Sequence, residues 1–269
     1  MVKLSDRLVK YRSGEKESEK FIDERLLNTP SMAVKEAENK LHEMMDMAFE
    51  NFRIAVTLSD KWDNKVYEKL LAVERKIDYY EDRLNEINVK IAARPLSQED
   101  SEKVSMMLHT VTDIERIGDR AVNIAENIES LIDKGIRFSE NARTELNVIV
   151  SAVGEIIQHT RNCFIEGDIQ EAYMIESLEE VVDDLVERAG QNHVRRLKNG
   201  TCSLELGLIL NEILLNVERI SDHCSNLAAK KLEEVDDGIR MHEYKRQVKH
   251  DEKGSFADLY REFSLKYSL

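Results

Sequence analysis

One segment of the chain occurs twice, about a hundred residues apart. Residues 113–126 read DIERIGDRAVNIAE, and residues 216–229 read NVERISDHCSNLAA, so that a Glu-Arg-Ile-x-Asp spacing and a later asparagine are common to both. Self-similarity of this kind is the sequence signature of a duplicated structural unit. The chain is therefore predicted to contain two related units.

Capping and turn signals divide each unit into three helices. Only 2 prolines and 10 glycines occur in the 269 residues, and apolar residues recur at spacings of three and four, which indicates amphipathic helices. Proline at a first helical position, serine N-caps and glycine stops mark the helix ends. The predicted boundaries lie near Pro30, Asp60, Arg94, Ser97 and Gly135 in the first unit, and near Ser139, Gly167, Asp168, Lys198, Thr201 or Ser203, and Glu234 in the second.

These helices predict an all-α fold of two tandem three-helix bundles with a short C-terminal helical tail. The predicted segments are a charged lead or linker at 1–29, a first three-helix repeat at 30–135, a second three-helix repeat at 138–235 and a tail at 236–269. Ser255 and Asp258 resemble a capping box that begins a short amphipathic helix in the tail. We expect the aromatic stripe of this helix to pack on the chain itself; it consists of Phe256, Tyr260, Phe263 and Tyr267.

Composition limits the class of partner and the compartment. The 53 acidic and 39 basic residues give a net charge of -14, which repels phosphodiester backbones, so no nucleic-acid partner is expected. Three widely spaced cysteines form no CxxC pair, which favours a reduced, cytoplasmic compartment. No stretch has the roughly 20 consecutive apolar residues that a membrane-spanning helix needs.

Glu-x-x-x-Asp pairs occupy equivalent positions beside the apolar seams of four predicted helices. Positions 74 and 119 lie equally far from the turn after Pro95, as do positions 78 and 115, and the second unit repeats this arrangement about Gly200. Antiparallel helices therefore place two acidic pairs at one level in each unit. The pairs are Glu74 and Asp78, Glu115 and Asp119, Glu179 and Asp183, and Glu218 and Asp222.

Converging carboxylates repel one another unless something compensates their charge. Protonation, the neighbouring arginines Arg75, Arg116 and Arg219, or bound cations could do so. Ligand sets made only of carboxylates suit hard or borderline ions such as Mg, Mn, Ca or Fe. The alternative is that the acids are solvated helix flanks. Asn123 and Asn226, one turn further along, are either further ligands or groups that form capping or interhelical hydrogen bonds.

The segments ERIGDRAVNIAE, VERKIDYYED, LEEVVDD and VERISDHCSNLA resemble the paired signatures of the PhoU family, helical proteins of two related three-helix bundles. The resemblance extends from Pro30 to Glu234. It implies multinuclear metal clusters, usually of iron or zinc, on two acidic patches, and a role in restraining phosphate uptake or signalling. The ligands that it implies are Glu74, Asp78, Glu115, Asp119, Glu179, Asp183, Glu218 and Asp222. The carboxylates alone do not select zinc, so Mg, Mn and Ca stay open.

The chain ends, FIDERLLNTPSMAVKEA and HEYKRQVKHDEKGSFADLYREFSLKY, are similar to the cytosolic C-terminal region of bacterial sodium/phosphate cotransporter-like membrane proteins. This similarity implies a PhoU-like regulatory domain at the inner face of the membrane, whose partner is the transporter membrane domain of its own chain. The alternative is a stand-alone PhoU regulator of a separate phosphate ABC transporter and its signalling kinase. Either form is compatible with a homo-oligomer.

Two further classes of protein are compatible with the acidic pairs, a metal-dependent hydrolase or di-iron oxidase and a purely structural helical scaffold. A di-iron site in a helical bundle normally has Glu-x-x-His motifs, and none of the four acidic pairs has that form. The sequence places no Ser/His/Asp or Cys/His arrangement either, and His223 is interpreted as a surface or packing histidine. We therefore expect a protein that is not an enzyme.

Overall fold

The computed structural model describes residues 21–235 and 255–269, and every regular element in these ranges is helical. The helices are α1 (Pro30–Asp60), α2 (Asn64–Ala92), α3 (Gln98–Lys134), α4 (Glu140–Arg161), α5 (Glu171–Lys198), α6 (Leu204–Val235) and α7 (Ser255–Lys266). A 3-10 turn at Glu24–Asn28 precedes α1, and a π turn at Asn162–Glu166 continues α4. Within these ranges, no helix has the length and apolar character needed to cross a bilayer.

Local capping explains where the helices begin and end. The hydroxyl of Ser97 accepts a hydrogen bond from the Asp100 amide at 3.1 Å, and Gly135 ends α3 in the left-handed conformation with φ 63°. Helix α5 begins at Glu171 rather than at the predicted Asp168. The reason is that the Asp168 carboxylate accepts a hydrogen bond from the Gln170 amide at 3.1 Å, which fixes a turn before the helix.

Each unit forms a three-helix bundle, which confirms the predicted fold class. Helices α1, α2 and α3 pack against one another, as do α4, α5 and α6, around a continuous apolar core. At Gly118 in α3, an added Cβ would lie 2.9 Å from Ile77 Cδ1. The missing side chain therefore lets α2 approach α3 closely beside the first acidic pairs.

Residues 21–29, which the sequence assigned to the lead, belong to the first bundle. Ile22 and Leu27 are buried, and the ring of Phe21 meets that of Tyr80 edge-on with centroids 4.8 Å apart. These side chains cover apolar surface at the outside of α1 and α2. The charged stretch that we interpret as a linker lies outside the described residues.

The C-terminal helix α7 packs on the second bundle. Phe263 is only 5% exposed, the Tyr260 hydroxyl donates to Asp184 Oδ2 at 2.5 Å, and Lys266 Nζ lies 2.7 Å from Glu155 Oε2. These contacts join α7 to α5 and α4. They confirm that the aromatic stripe packs on the chain itself.

The two bundles meet where α3 packs against α6. Asp113 Oδ1 lies 2.9 Å from His223 Nδ1, its second oxygen accepts a hydrogen bond from Lys230, and all three side chains are largely buried. His223 is therefore a packing residue that joins the bundles. The repeat aligns Asp113 with Asn216 and His223 with Arg120, and Arg120 Nη1 lies 3.5 Å from Asn216 Oδ1. The α3–α6 junction thus has approximate two-fold symmetry.

Replacing Asp113 by Asn should lower the free energy of unfolding by about 1 to 3 kcal/mol at pH 7, because Lys230 loses its counter-charge in a partly screened site. Burial tends to raise the pKa of Asp113, but hydrogen bonds from His223 and Lys230 leave this pKa below its ordinary value of 3.8. The stabilisation is therefore present above about pH 4 and disappears as the pH falls below that value. Urea unfolding at pH 7 and pH 3 measures both effects.

The matched control is Asp133→Asn, which changes an exposed aspartate of the same helix. Equal unfolding midpoints for the parent and the Asp113 variant at pH 7 would contradict a stabilising junction.

Candidate functional site

In the first bundle, the structure brings acidic residues of α2 and α3 into electrostatic contact. Asp78 and Asp119 are exposed, whereas Glu115 and Glu74 are partly buried. Burial raises the pKa of Glu115 to about 7, and the nearby charges of Asp119 and Asp78 act in the same direction. Arg116 only partly offsets this effect. The carboxylates thus lie close enough to disfavour one another's ionised form.

Glu81 belongs to the same group, although the sequence analysis did not select it. Its pKa is raised, mainly by burial and also by the charges of Asp82, Asp78 and Asp119, while a 3.4 Å hydrogen bond from Thr112 opposes the shift. The position that matches Glu81 in the second unit is Val186, so a search for repeated acids could not find it. Its spacing of three residues from Asp78 was the available signal. We call Asp78, Glu81, Glu115 and Asp119 the first acidic cluster.

In the second bundle the acidic residues lie deeper. Glu179 is buried and Asp183 is partly buried on α5, and Glu218 and Asp222 are partly buried on α6. Burial raises the pKa of Glu218, with a further contribution from the charge of Asp222, while Arg219 opposes the shift. Arg219 Nη1 also lies 3.4 Å from Asp222 Oδ2. One arginine is therefore already engaged with this set of acids.

A further carboxylate of α5, Glu176, is fully buried and also escaped the sequence analysis. The Ser225 hydroxyl of α6 donates to Glu176 Oε1 at 2.5 Å, so this contact ties the two helices together. Glu176 precedes Glu179 by three residues, and this spacing places both on one face of α5. The second bundle therefore buries acids that the sequence pattern alone would place on a solvated flank.

The two candidate asparagines occupy equivalent, partly buried positions on α3 and α6. The backbone carbonyl of Asn123 accepts a hydrogen bond from Asn127 Nδ2 at 2.8 Å. Asn226 also has polar interactions with its surroundings. A ligand role for either side chain stays a prediction.

The acidic residues of both bundles suit a metal ion in the type of ligand atom and in charge. Carboxylate oxygens suit hard and borderline cations, and the charges of Asp119, Glu81 and Asp78 add to the effect of burial in raising the pKa of Glu115, so a cation near these acids would oppose that shift. As the side chains stand, no group of three or more His, Cys, Asp or Glu among the described residues is arranged to hold a metal ion. The donor type therefore fits a metal, whereas a closed set of ligands would require the carboxylates to move together.

The cysteines differ in their accessibility. Cys163 and Cys224 are buried, and burial raises the pKa of each thiol to about 12, so both stay in the unreactive thiol form. Cys202 is partly exposed at the turn between α5 and α6, with its sulfur 3.6 Å from His193 Nδ1. It is the thiol most open to labelling among the three.

Comparison with known proteins decides the family. The model of the PhoU domain matches residues 41–128 and 147–230, which include all four Glu-x-x-x-Asp pairs. The chain belongs to the PhoU family. A phosphate-specific transport system accessory protein PhoU homolog of Thermotoga maritima is 25% identical over 220 residues, which cover 81% of this chain and 93% of that protein. A homolog of the same description from Deinococcus radiodurans is 25% identical over 161 residues, 59% of this chain and 74% of that protein.

Solved structures of the PhoU family share the fold. The crystal structure of PhoU from Pseudomonas aeruginosa superposes with a TM-score of 0.71 at 23% identity, covering 76% of this chain and 98% of that one. PhoU from Streptococcus pneumoniae, described as a phosphate transport system regulatory protein, gives 0.70 at 16% identity, with coverage of 78% and 99%. The two-bundle architecture of this PhoU-family chain is therefore that of its structural neighbours.

Replacing Glu115 by Gln should stabilise the chain at pH 8 in the presence of a chelator. The pKa of Glu115 is raised from an ordinary value of 4.5 to about 7, so the folded state holds this proton more tightly and loses stability as the pH rises from about 4.5 to above 7. After allowance for solvent screening, we expect the variant to gain roughly 1 to 2 kcal/mol at pH 8. The gain should vanish near pH 4, and urea unfolding at the two pH values measures it.

Glu68→Gln removes an exposed glutamate from the same hairpin and serves as the control. A Glu115 variant no more stable than the parent at pH 8 would contradict the raised pKa of Glu115.

Proposed function

We propose that this chain regulates phosphate transport through contact with a transport system. The observation that carries the proposal is the PhoU match over both halves of the chain, together with relatives that are named phosphate-specific transport system accessory proteins. The strongly acidic surface argues against a nucleic-acid partner. The buried thiols offer no activated nucleophile. We accordingly propose a regulator without a catalytic role.

The comparisons favour a stand-alone accessory protein over a domain attached to a cotransporter. The Thermotoga relative aligns over 93% of its own length and is described as an accessory protein. The similarity of the chain ends to cotransporter-attached domains has no comparable support. In either form the transporter's membrane domain is the partner, at the cytoplasmic face of the membrane, and a homo-oligomer remains compatible with it.

We further propose that cations bind the two sets of acids. Glu74 and Asp78 would act with Glu115 and Asp119 in the first bundle, with Glu81 as an added ligand, and the second set would be Glu179, Asp183, Glu218 and Asp222. These carboxylates would hold the cation, whose positive charge would offset their mutual repulsion. Family resemblance suggests iron or zinc, whereas oxygen ligands also suit Mg, Mn or Ca.

Cation binding and stability should be linked through these carboxylates. Because a ligand that binds the folded state alone stabilises it, adding Mn, Fe or Zn to chelator-treated protein should raise the melting temperature of the parent. The double variant Asp119→Asn with Asp222→Asn should lose most of this rise and should retain less metal by elemental analysis. Asp133→Asn with Asp63→Asn, which changes two aspartates outside both sets, is the control.

The stability of the double variant can also contradict the cation proposal. If the double variant is more stable than the parent in chelator and in metal alike, the acids only repel each other and the cation proposal is wrong.

The regulatory role predicts a change in phosphate transport. In cells that lack the gene, phosphate uptake should no longer fall when external phosphate is plentiful, and expression of the chain should restore that response. Uptake of labelled phosphate over a range of external concentrations measures both outcomes. Uptake unaffected by the deletion at every concentration would refute the proposal.

The reading frame upstream of Met1 separates the two forms of regulator. Apolar membrane spans continuous with this frame would identify a cotransporter-attached domain, whereas an upstream stop codon would identify a free accessory protein.

A further inference from the structure

The turn between α5 and α6 exposes several large apolar side chains. Val194 is 48% exposed, Leu204 66% and Leu208 63%, while neighbouring apolar residues of both helices are buried in the core. Exposed apolar side chains grouped on one surface usually mark an interaction site. We refer to residues 188–208 as the α5–α6 tip.

The first bundle shows that the fold does not require these leucines. The repeat that aligns residue 113 with residue 216 also aligns Leu204 with Ser101 and Leu208 with Ser105. Both serines are exposed at the start of α3, as the leucines are at the start of α6. Since serine serves at the same structural positions, the leucines of the α5–α6 tip need an explanation other than folding.

The exposed side chains lie on one side of the hairpin. A Cβ added at Gly207 would lie 2.1 Å from His193 Nε2, so His193 and Gly207 face each other across the two helices. Val194 follows His193 on α5, and Leu208 follows Gly207 on α6. Because the two helices are antiparallel, this step of one residue turns both side chains to the same side of the hairpin. Leu204 lies one turn before Leu208 on α6 and extends this surface.

The α5–α6 tip also differs in charge from the equivalent turn between α2 and α3. Residues 188–208 contain four basic residues and one acidic residue, Glu205, whereas the matching residues 83–105 contain four of each. Arg196 is engaged with Glu145, but Arg195 and Lys198 are exposed and have no ion pair among the described residues. In a chain with a net charge of -14, the α5–α6 tip is thus a local cationic surface.

We propose that the α5–α6 tip binds the surface of a lipid bilayer that contains anionic lipid. Apolar side chains flanked by cations are the chemistry of interfacial membrane binding, in which the apolar groups enter the headgroup region and the cations pair with lipid phosphate. The acidic remainder of the chain is repelled by such a membrane, so the tip also sets the orientation of the molecule. This inference stands on the hairpin alone and does not depend on a role in phosphate transport.

Co-sedimentation of the full chain with vesicles tests the proposal. We expect binding to vesicles of phosphatidylcholine with about one third phosphatidylglycerol, and little binding to phosphatidylcholine alone. Leu204→Ser with Leu208→Ser, which installs the residues of the first bundle, should weaken binding at least about tenfold because two apolar side chains no longer enter the bilayer. Arg195→Gln with Lys198→Gln should also weaken it and reduce its dependence on salt.

Leu265→Ser is the matched control, because it removes a leucine that is 78% exposed on α7, outside the tip. An environment-sensitive dye on Cys202 should shift to an apolar signal only with anionic vesicles, and circular dichroism checks that each variant is folded. A parent chain that does not bind anionic vesicles, or a Leu204/Leu208 variant that binds as tightly as the parent, would overturn the proposal. The second result would also follow if the charged residues before Phe21 caused the binding.

Discussion

The contact between α3 and α6 is the interaction on which the rest of the structure depends. Each helix packs with the two other helices of its own bundle and also against the corresponding helix of the other bundle. Asp113, His223 and Lys230 form a largely buried charged group at this junction. Because a buried charge is costly without its partner, these residues favour one alignment of α3 along α6 over others. Both helices also carry candidate site residues, so this alignment fixes how the two acidic regions are placed relative to each other.

The duplicated halves have kept their helical framework while their acidic regions have diverged. The first acidic cluster is more exposed and includes Glu81, for which the second half has Val186. In the second half, Glu179 is buried and Glu176 is tied to Ser225 across α5 and α6. The two regions therefore differ in desolvation and in the arginines near them, and these differences shift carboxylate pKa values. If both regions bind cations, we expect their affinities to differ.

Local sequence determined most of the architecture. Helix ends are set by interactions over a few residues, such as the Ser97 hydroxyl with the Asp100 amide and the left-handed conformation of Gly135. The repeated motif predicted two bundles, because equal apolar patterns bury equal faces. The equal distances of Glu115 and Asp78 from one turn predicted their approach, since antiparallel helices rise at the same rate on either side of a turn.

Tertiary structure alone decided which side chains meet across the molecule. Nothing near His223 in the sequence identifies Asp113, more than a hundred residues away, as its partner, and the neighbouring Asp222 instead lies beside Arg219. The packing of α2 on α3 withdrew Glu81 from solvent, and the packing of α5 on α6 did the same for Glu176. Helical periodicity shows which face of a helix is apolar, but not which neighbour covers that face. Burial and the resulting pKa shifts depend on that neighbour, and so they arise only when distant segments pack together.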